Sequence, residues 1–249
     1  MCMLASFMRS EAQNAVIAWL TQRNVFAEEF PTYFIATAYD HPLWPVLRPD
    51  GQVTLMSWGL IPHWSGSIED ARQRQNQLIN ARSETMFEKP SFRASARTGR
   101  AVMITSGFFE FHKHDGKSYP FYIYPADGRP LFLGALWSHW TEPSTADAID
   151  TFSVVTTAAN RLMAIVHNVK KRMPVVLEES QIDSWIDPSA NVEDIHVLAA
   201  SRDIPWLRAH PVDRRANSNQ RAANVPDIQL PVAYSELGTV VESIHDVEG

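Results

Sequence analysis

Short runs of strand-forming residues, each stopped by a turn signal, constrain this chain most. Tyr33–Ala38 (YFIATA), Gln52–Trp58 (QVTLMSW), Ala101–Thr105 (AVMIT), Phe152–Thr157 (FSVVTT), Pro174–Leu177 and His210–Val212 read as strands. Asp115-Gly116 marks a hairpin tip, and Asp127-Gly128 joins two further strands, FYIYP and LFLGALW. Helices fall between them. Ser10–Asn24 is capped by Ser10 and carries Ala12, Val16, Trp19 and Leu20 on one face. The polar stretch 68–78, Glu178–Ile186 and Asn191–Ser201 read as three more, and Asn160 caps a short one. The segment 40–49, with three prolines, reads as an extended loop. About eight short strands with interspersed helices predict the α+β class. The expected architecture is a single domain with a strongly bent, barrel-like, mainly antiparallel sheet and flanking helices. It spans residues 2–217, and 218–249, with weak periodicity, reads as a peripheral tail.

Composition narrows the setting. The chain has 249 residues, 45% hydrophobic and 20% charged, enough for a sizeable core. Its one cysteine excludes an internal disulfide and points to a reducing, cytoplasmic compartment. No run approaches the roughly 18 apolar residues of a membrane span, and the start lacks a secretory pattern. A monomer is expected. No metal is expected, because the lone Cys and dispersed His residues show no ligand spacing, and no glycine pattern suggests a cofactor loop.

The net charge of −6 argues against a general nucleic-acid binder. Residues 71–100 nevertheless hold seven basic groups against two acidic ones (Glu84, Glu88), a local charge of +5. Such a face suits a confined anionic ligand, and reads equally as a solvated charged loop.

Individual residues suggest chemistry. Met1 precedes Cys2, and initiator methionine is normally removed before a small residue. Cys2 would then carry an α-amine and a thiol on adjacent carbons, both partly unprotonated near neutral pH. An aldehyde can form an imine with the amine, and the thiol can close a thiazolidine ring. Taken alone, a terminal Cys is incidental; its neighbours make the case. Asn80 and Arg82, in INARSET, share a face if extended, an amide beside a fork suited to phosphate; a solvated loop is the plainer reading. Glu110 stands among Phe108, Phe109 and Phe111, where lost hydration disfavours its charge and suits a proton donor; it also reads as the outward residue of a half-buried strand. His167 precedes Lys170, Lys171 and Arg172, cations that favour a neutral imidazole able to act as a base. Trp64, in WGLIPHW before a flexible SGS, reads as a stacking platform, and Trp58 as core.

The order Cys2, WGLIPHW, INARSET, EKPSFR, GFFEF, VTTAAN, H…RMPVVL and HPV resembles the SOS-response-associated peptidase (SRAP) family, the abasic-site-processing proteins. The likeness runs from Cys2 to about Asn217. It implies a protein that captures abasic sites in single-stranded DNA through a thiazolidine at Cys2, with Met1 removed by autoproteolysis or an aminopeptidase. By resemblance, Cys2 is the nucleophile, Asn80 positions the terminus and the opened sugar, Glu110 shuttles protons, and His167 acts on the opened sugar. Arg82 and Arg172 would hold phosphates, Trp64 would stack beside the lesion, and Thr156 and His210 would line the strand path. The rival readings are an N-terminal-nucleophile peptidase using Cys2 with His167, and a non-covalent single-strand binding module using Trp64. Two departures stand out. The family commonly begins Cys-Gly-Arg, where this chain has Cys2-Met3-Leu4, and four residues rather than one separate His167 from Arg172.

Overall fold

A computed structural model describes residues 3–7, 15–23, 25, 31–217 and 223–248. In chain order the strands are β1 (Leu4–Ser6), β2 (Ala36–Thr37), β3 (Leu43–Leu47), β4 (Val53–Trp58), β5 (Asn80–Arg82), β6 (Arg100–Thr105), β7 (Gly107–His114), β8 (Lys117–Pro125), β9 (Leu131–Thr141), β10 (Ala148–Ala158), β11 (Arg172–Pro174), β12 (Val176–Leu177) and β13 (Leu207–Pro211). The helices are α1 (Ala15–Thr21), α2 (Ile68–Gln77), α3 (Arg93–Thr98), α4 (Arg161–Val166), α5 (Ile182–Ile186), α6 (Val192–Ala199) and α7 (Gly238–Glu248).

Five strands close on themselves in the order β10-β4-β3-β6-β9, because β9 pairs with both β6 and β10. All of these pairings are antiparallel except β10 with β4. β5 extends the parallel edge of β10, β11 pairs with the far end of β10, and β12 pairs with β9. A second antiparallel sheet runs β13-β8-β7-β1-β2 beside the barrel. The expected α+β domain with a barrel-like sheet is therefore present. Several of the strands have only two or three residues, too short to show a period of two, so the sequence reveals fewer strands than exist.

The proline-rich segment is a correction: it forms β3, inside the barrel wall. Val46 pairs with Met103, and one step along that register puts Pro45 opposite Ile104. Proline has no N–H to give there. The Ile104 carbonyl instead accepts from the Trp44 indole Nε1 at 2.7 Å. The strands around Asp127-Gly128 do follow one another, but β8 and β9 belong to different sheets, so the turn is a crossing and not a hairpin. Pro174–Leu177 divides at Val175, whose N–H donates to Val155 on β10 while its carbonyl accepts from Gly134 on β9. Glu178–Ile186 divides into a 3-10 turn (Glu179–Gln181) and α5. Asn160, Ser67 and Asn191 each cap a helix through the side chain. Ser10, the expected cap of the first helix, lies outside the described residues.

Residues 223–248 pack on the domain. Ile228, Leu237 and Ile244 are buried, α7 lies against α4 and β13, and Tyr234 Oη donates to the Val212 carbonyl at 2.8 Å. The weak periodicity that suggested a periphery reflects two 3-10 turns, which hold no face constant. Within WGLIPHW, Gly59 has φ +110°, and a Cβ there would stand 2.5 Å from the Gln75 carbonyl. Glycine is what lets α2 close over the barrel at this point.

Candidate active site

β7 carries GFFEFHKH between β8 and β1. Alternation divides its side chains between two faces. Phe109 and Phe111 face the cluster of Tyr122, Val212 and Ile228. Phe108 belongs to the main core, and Glu110 and His112 share its face. The outward reading of Glu110 is therefore wrong: its residue is 2% exposed.

The partner of Glu110 comes from α4. Asn160 accepts from the Met163 N–H at 2.9 Å and starts the helix; His167 ends it as the C-cap. His167 is 7% exposed, and its Nδ1 lies 3.8 Å from Glu110 Oε2. The same Nδ1 is 3.0 Å from the Arg172 carbonyl. A carbonyl only accepts, so Nδ1 carries a hydrogen toward Arg172. The extra residues between His167 and Arg172 form a turn that loops out and returns. Lys171 N–H donates to the His167 carbonyl at 2.9 Å, with Lys171 at φ 48°. Asn168 pins this turn to β7, accepting from Lys113 N at 3.0 Å and donating to Lys113 O at 2.8 Å. The longer spacing thus leaves the Arg172 carbonyl at His167.

Asn80 and Arg82 share a face of β5, with the buried Ala81 pointing the other way. Asn80 is half-buried and Arg82 exposed. Arg172 spans from β11 across β10 to Glu84, two residues beyond β5. Its Nη1 and Nη2 donate to the two carboxylate oxygens of Glu84, and Nη2 also donates to the Thr156 carbonyl at 2.7 Å. The guanidinium holds the Glu84 carboxyl below the usual carboxylate range.

Thr156 and His210, expected along a strand path, have defined partners in the fold. Thr156 is fully buried, and its Oγ1 donates to the Ala81 carbonyl at 3.1 Å, so it seats β5 and Arg172. His210, on β13, pairs with Tyr122 on β8, and Glu110 pairs with the neighbouring Phe121. Its ring therefore lies on the opposite face of that sheet from Glu110, against Tyr122 and Tyr124. Trp64 is 44% exposed, with the Arg74 guanidinium 4.3 Å from its ring centre. Its loop is held where β9 and β10 meet their connecting turn, through Trp140 Nε1 on Ser65 O and Ile61 N on Thr151. Thr151 stands five residues from Thr156, on the order of 17 Å along β10. Trp58 is core, as read, with its Nε1 on the Ile79 carbonyl.

Sequence reasoning missed Glu84, although it stands in INARSET, because an acid in a basic stretch reads as charge dilution. It also counted Arg100 in the basic face. Arg100 is 1% exposed and donates to the carbonyls of Ala96, Arg97, Trp185 and Asp187. Cys2 lies outside the described residues. Among the described residues no group of three His, Cys, Asp or Glu side chains could hold a metal ion. None of the described helices is long and apolar enough to cross a membrane.

The family described as SOS response associated peptidase (SRAP) matches residues 1–219. The chain belongs to the SRAP family. Similar SRAP relatives include the abasic site processing protein YedK of Escherichia coli, 33% identical over 159 residues, covering 63% of this chain and 66% of the relative. The abasic site processing protein HMCES of Xenopus tropicalis is 27% identical over 200 residues, covering 73% of this chain and 58% of the relative. The matched part thus spans somewhat under two thirds of each relative's length. A crystal structure of a protein from Bacteroides thetaiotaomicron superposes with a TM-score of 0.80 at 26% identity, covering 93% of this chain and all of that one. The buried Glu110–His167 pair of this SRAP protein is assembled from two motifs that lie 57 positions apart in sequence.

Proposed function

We propose that this SRAP protein captures abasic sites in single-stranded DNA as a covalent adduct at Cys2. One observation carries the reading. β1 runs antiparallel to β7 with Leu4 opposite Phe109, and the next step of that register sets Met3 opposite Glu110. The residue bonded to Cys2 is thereby brought to the buried Glu110–His167 pair. The names of YedK and HMCES, abasic site processing proteins, support the same substrate.

The chemistry balances with these groups. Met1 leaves by hydrolysis of one peptide bond, through self-cleavage or an aminopeptidase. Glu110, protonated, donates to the ring oxygen of the closed sugar and releases the aldehyde. The Cys2 amine adds to C1′, and loss of water gives an imine. The thiol adds to the imine carbon, its proton passes to the nitrogen, and the thiazolidine is closed. His167 takes and returns the protons of these steps. Asn80 orients the terminus and the opened sugar. Arg82, and Arg172 when released from Glu84, meet phosphates, and Trp64 stacks on a base. An imine that escapes closure is open to β-elimination, which gives a strand-cleaving side reaction. The protein acts as a cytoplasmic monomer.

The test is a denaturing gel of the mature chain with single-stranded DNA bearing one abasic site, the N-terminus verified by mass spectrometry. A heat-resistant shifted band that needs both the lesion and Cys2 is expected. A chain that begins at Cys2 and gives no band refutes the reading.

A further inference from the structure

The residues that follow the family match are tied to the strand that begins at the N-terminus. The match ends at residue 219. Beyond it, Asn224 Oδ1 accepts from the N–H groups of Phe34 at 2.7 Å and Ile35 at 3.3 Å, and its Nδ2 donates to the Thr32 carbonyl at 3.2 Å. Gln229, 5% exposed, donates from Nε2 to the Phe34 carbonyl at 2.9 Å and to Ser6 Oγ at 2.5 Å. Its own backbone carbonyl accepts from His210 Nε2 at 2.8 Å, which fastens this segment to β13. Ala223 and Ile228 complete the apolar cluster of Leu4, Ile35 and Phe109.

β1 needs such support. It has three residues, three paired positions with β7 and two with β2, and β2 itself has only two residues. Strands this short are marginal without further packing. Gln229 reaches β1 itself at Ser6 and also the segment leading into β2 at Phe34. Asn224 holds the backbone of that same segment at Thr32, Phe34 and Ile35. We infer that Asn224 and Gln229 are positioning residues, a latch from the C-terminal segment that holds β1 in register and so keeps Met3 opposite Glu110. The inference rests on the reading of the N-terminus as the reacting group. It gives the two motif-bearing halves of the site a third, late contributor, and explains what His210 does on the face away from Glu110.

The test pairs two measurements on the full chain. Hydrogen exchange of residues 3–7 reads the latch directly, and single-turnover adduct formation on abasic single-stranded DNA reads its consequence. Gln229→Leu and the milder Asn224→Ala should each speed exchange at Phe7, whose N–H donates to the Tyr33 carbonyl, by about tenfold, with β6 and β9 unchanged. The maximal rate of adduct formation should fall by a similar factor, while the DNA concentration at half-maximal rate stays constant. The double variant should be little worse than the worse single one, since both act on one element. Unchanged exchange in residues 3–7 in both variants overturns the latch. Faster exchange with undiminished capture overturns the positioning role. If the parent forms no adduct, the capture reading falls, and the exchange measurement still decides the latch.

Discussion

Glu84 receives two guanidinium nitrogens of Arg172, and the same guanidinium reaches the Thr156 carbonyl. An arginine named by sequence as a phosphate ligand is therefore already occupied by a carboxylate from the neighbouring motif. A bidentate arrangement of this kind is strong and directional. It also makes Glu84 a competitor that a phosphate must displace.

Glu84→Gln should therefore strengthen non-covalent binding to intact single-stranded DNA. If Arg172 then gains one phosphate, the slope of log K against log salt should steepen by about 0.7. Fluorescence anisotropy across a salt series measures it, and an unchanged slope shows that Arg172 makes no such contact. The Glu84 side chain is 48% exposed, so the stability cost at neutral pH should stay below about 1 kcal/mol. Arg172 lowers the carboxyl's folded value, so its contribution is complete above the ordinary carboxylate value and is lost as pH falls through the lowered one. Denaturant midpoints of parent and variant should converge in acid.

Glu110→Gln keeps the shape of a buried side chain and removes its proton chemistry. Adduct formation should slow by about 10²–10⁴-fold if Glu110 is the proton donor. Thermal unfolding should shift little, which separates lost chemistry from lost fold. His167→Gln should slow the same step, and the double variant should be far from multiplicative, because the two groups lie 3.8 Å apart and act together.

Arg100 belongs to the fold. Burial pushes its guanidinium down from the usual arginine value, and four carbonyls from the ends of α3 and α5 compensate it. Arg100→Met takes its donors from all four, with Asp187 alone keeping the Ala190 N–H, and should cost at least about 3 kcal/mol in urea unfolding. The salt slope of DNA binding should not move. A steep loss of DNA affinity with intact stability would return Arg100 to the basic face.

Trp64→Ala tests the exposed ring beneath Arg74. The cation–π contact at the surface is worth about 0.5–1 kcal/mol to the fold, so stability should change little. Loss of a base-stacking platform should weaken single-strand binding by about 1–3 kcal/mol. Equal affinity of parent and variant for oligonucleotides long enough to reach from the Glu110–His167 pair to Trp64 would remove Trp64 from the DNA path.

Local chemistry determined much of this protein from sequence alone. Strands with strong β-branched or apolar runs, the Asp115-Gly116 turn, and the Asn160 and Asn191 caps are decided by neighbours along the chain, so they are legible without a fold. The same holds for Asn80 and Arg82, whose common face follows from alternation alone. Tertiary structure decided what depends on contact across the chain. Pro45 sits in a barrel strand because Trp44 supplies the hydrogen bond that proline cannot, a partnership 60 residues long. Glu110 is inward because β7 is covered by α4, and Arg172 meets Glu84 because β10 lies between β5 and β11. Asn224 and Gln229 find their partners some 190 to 220 residues upstream, a separation at which sequence carries no periodic signal. Residue type determines what a side chain can do; only the packed neighbours determine which of those interactions it makes.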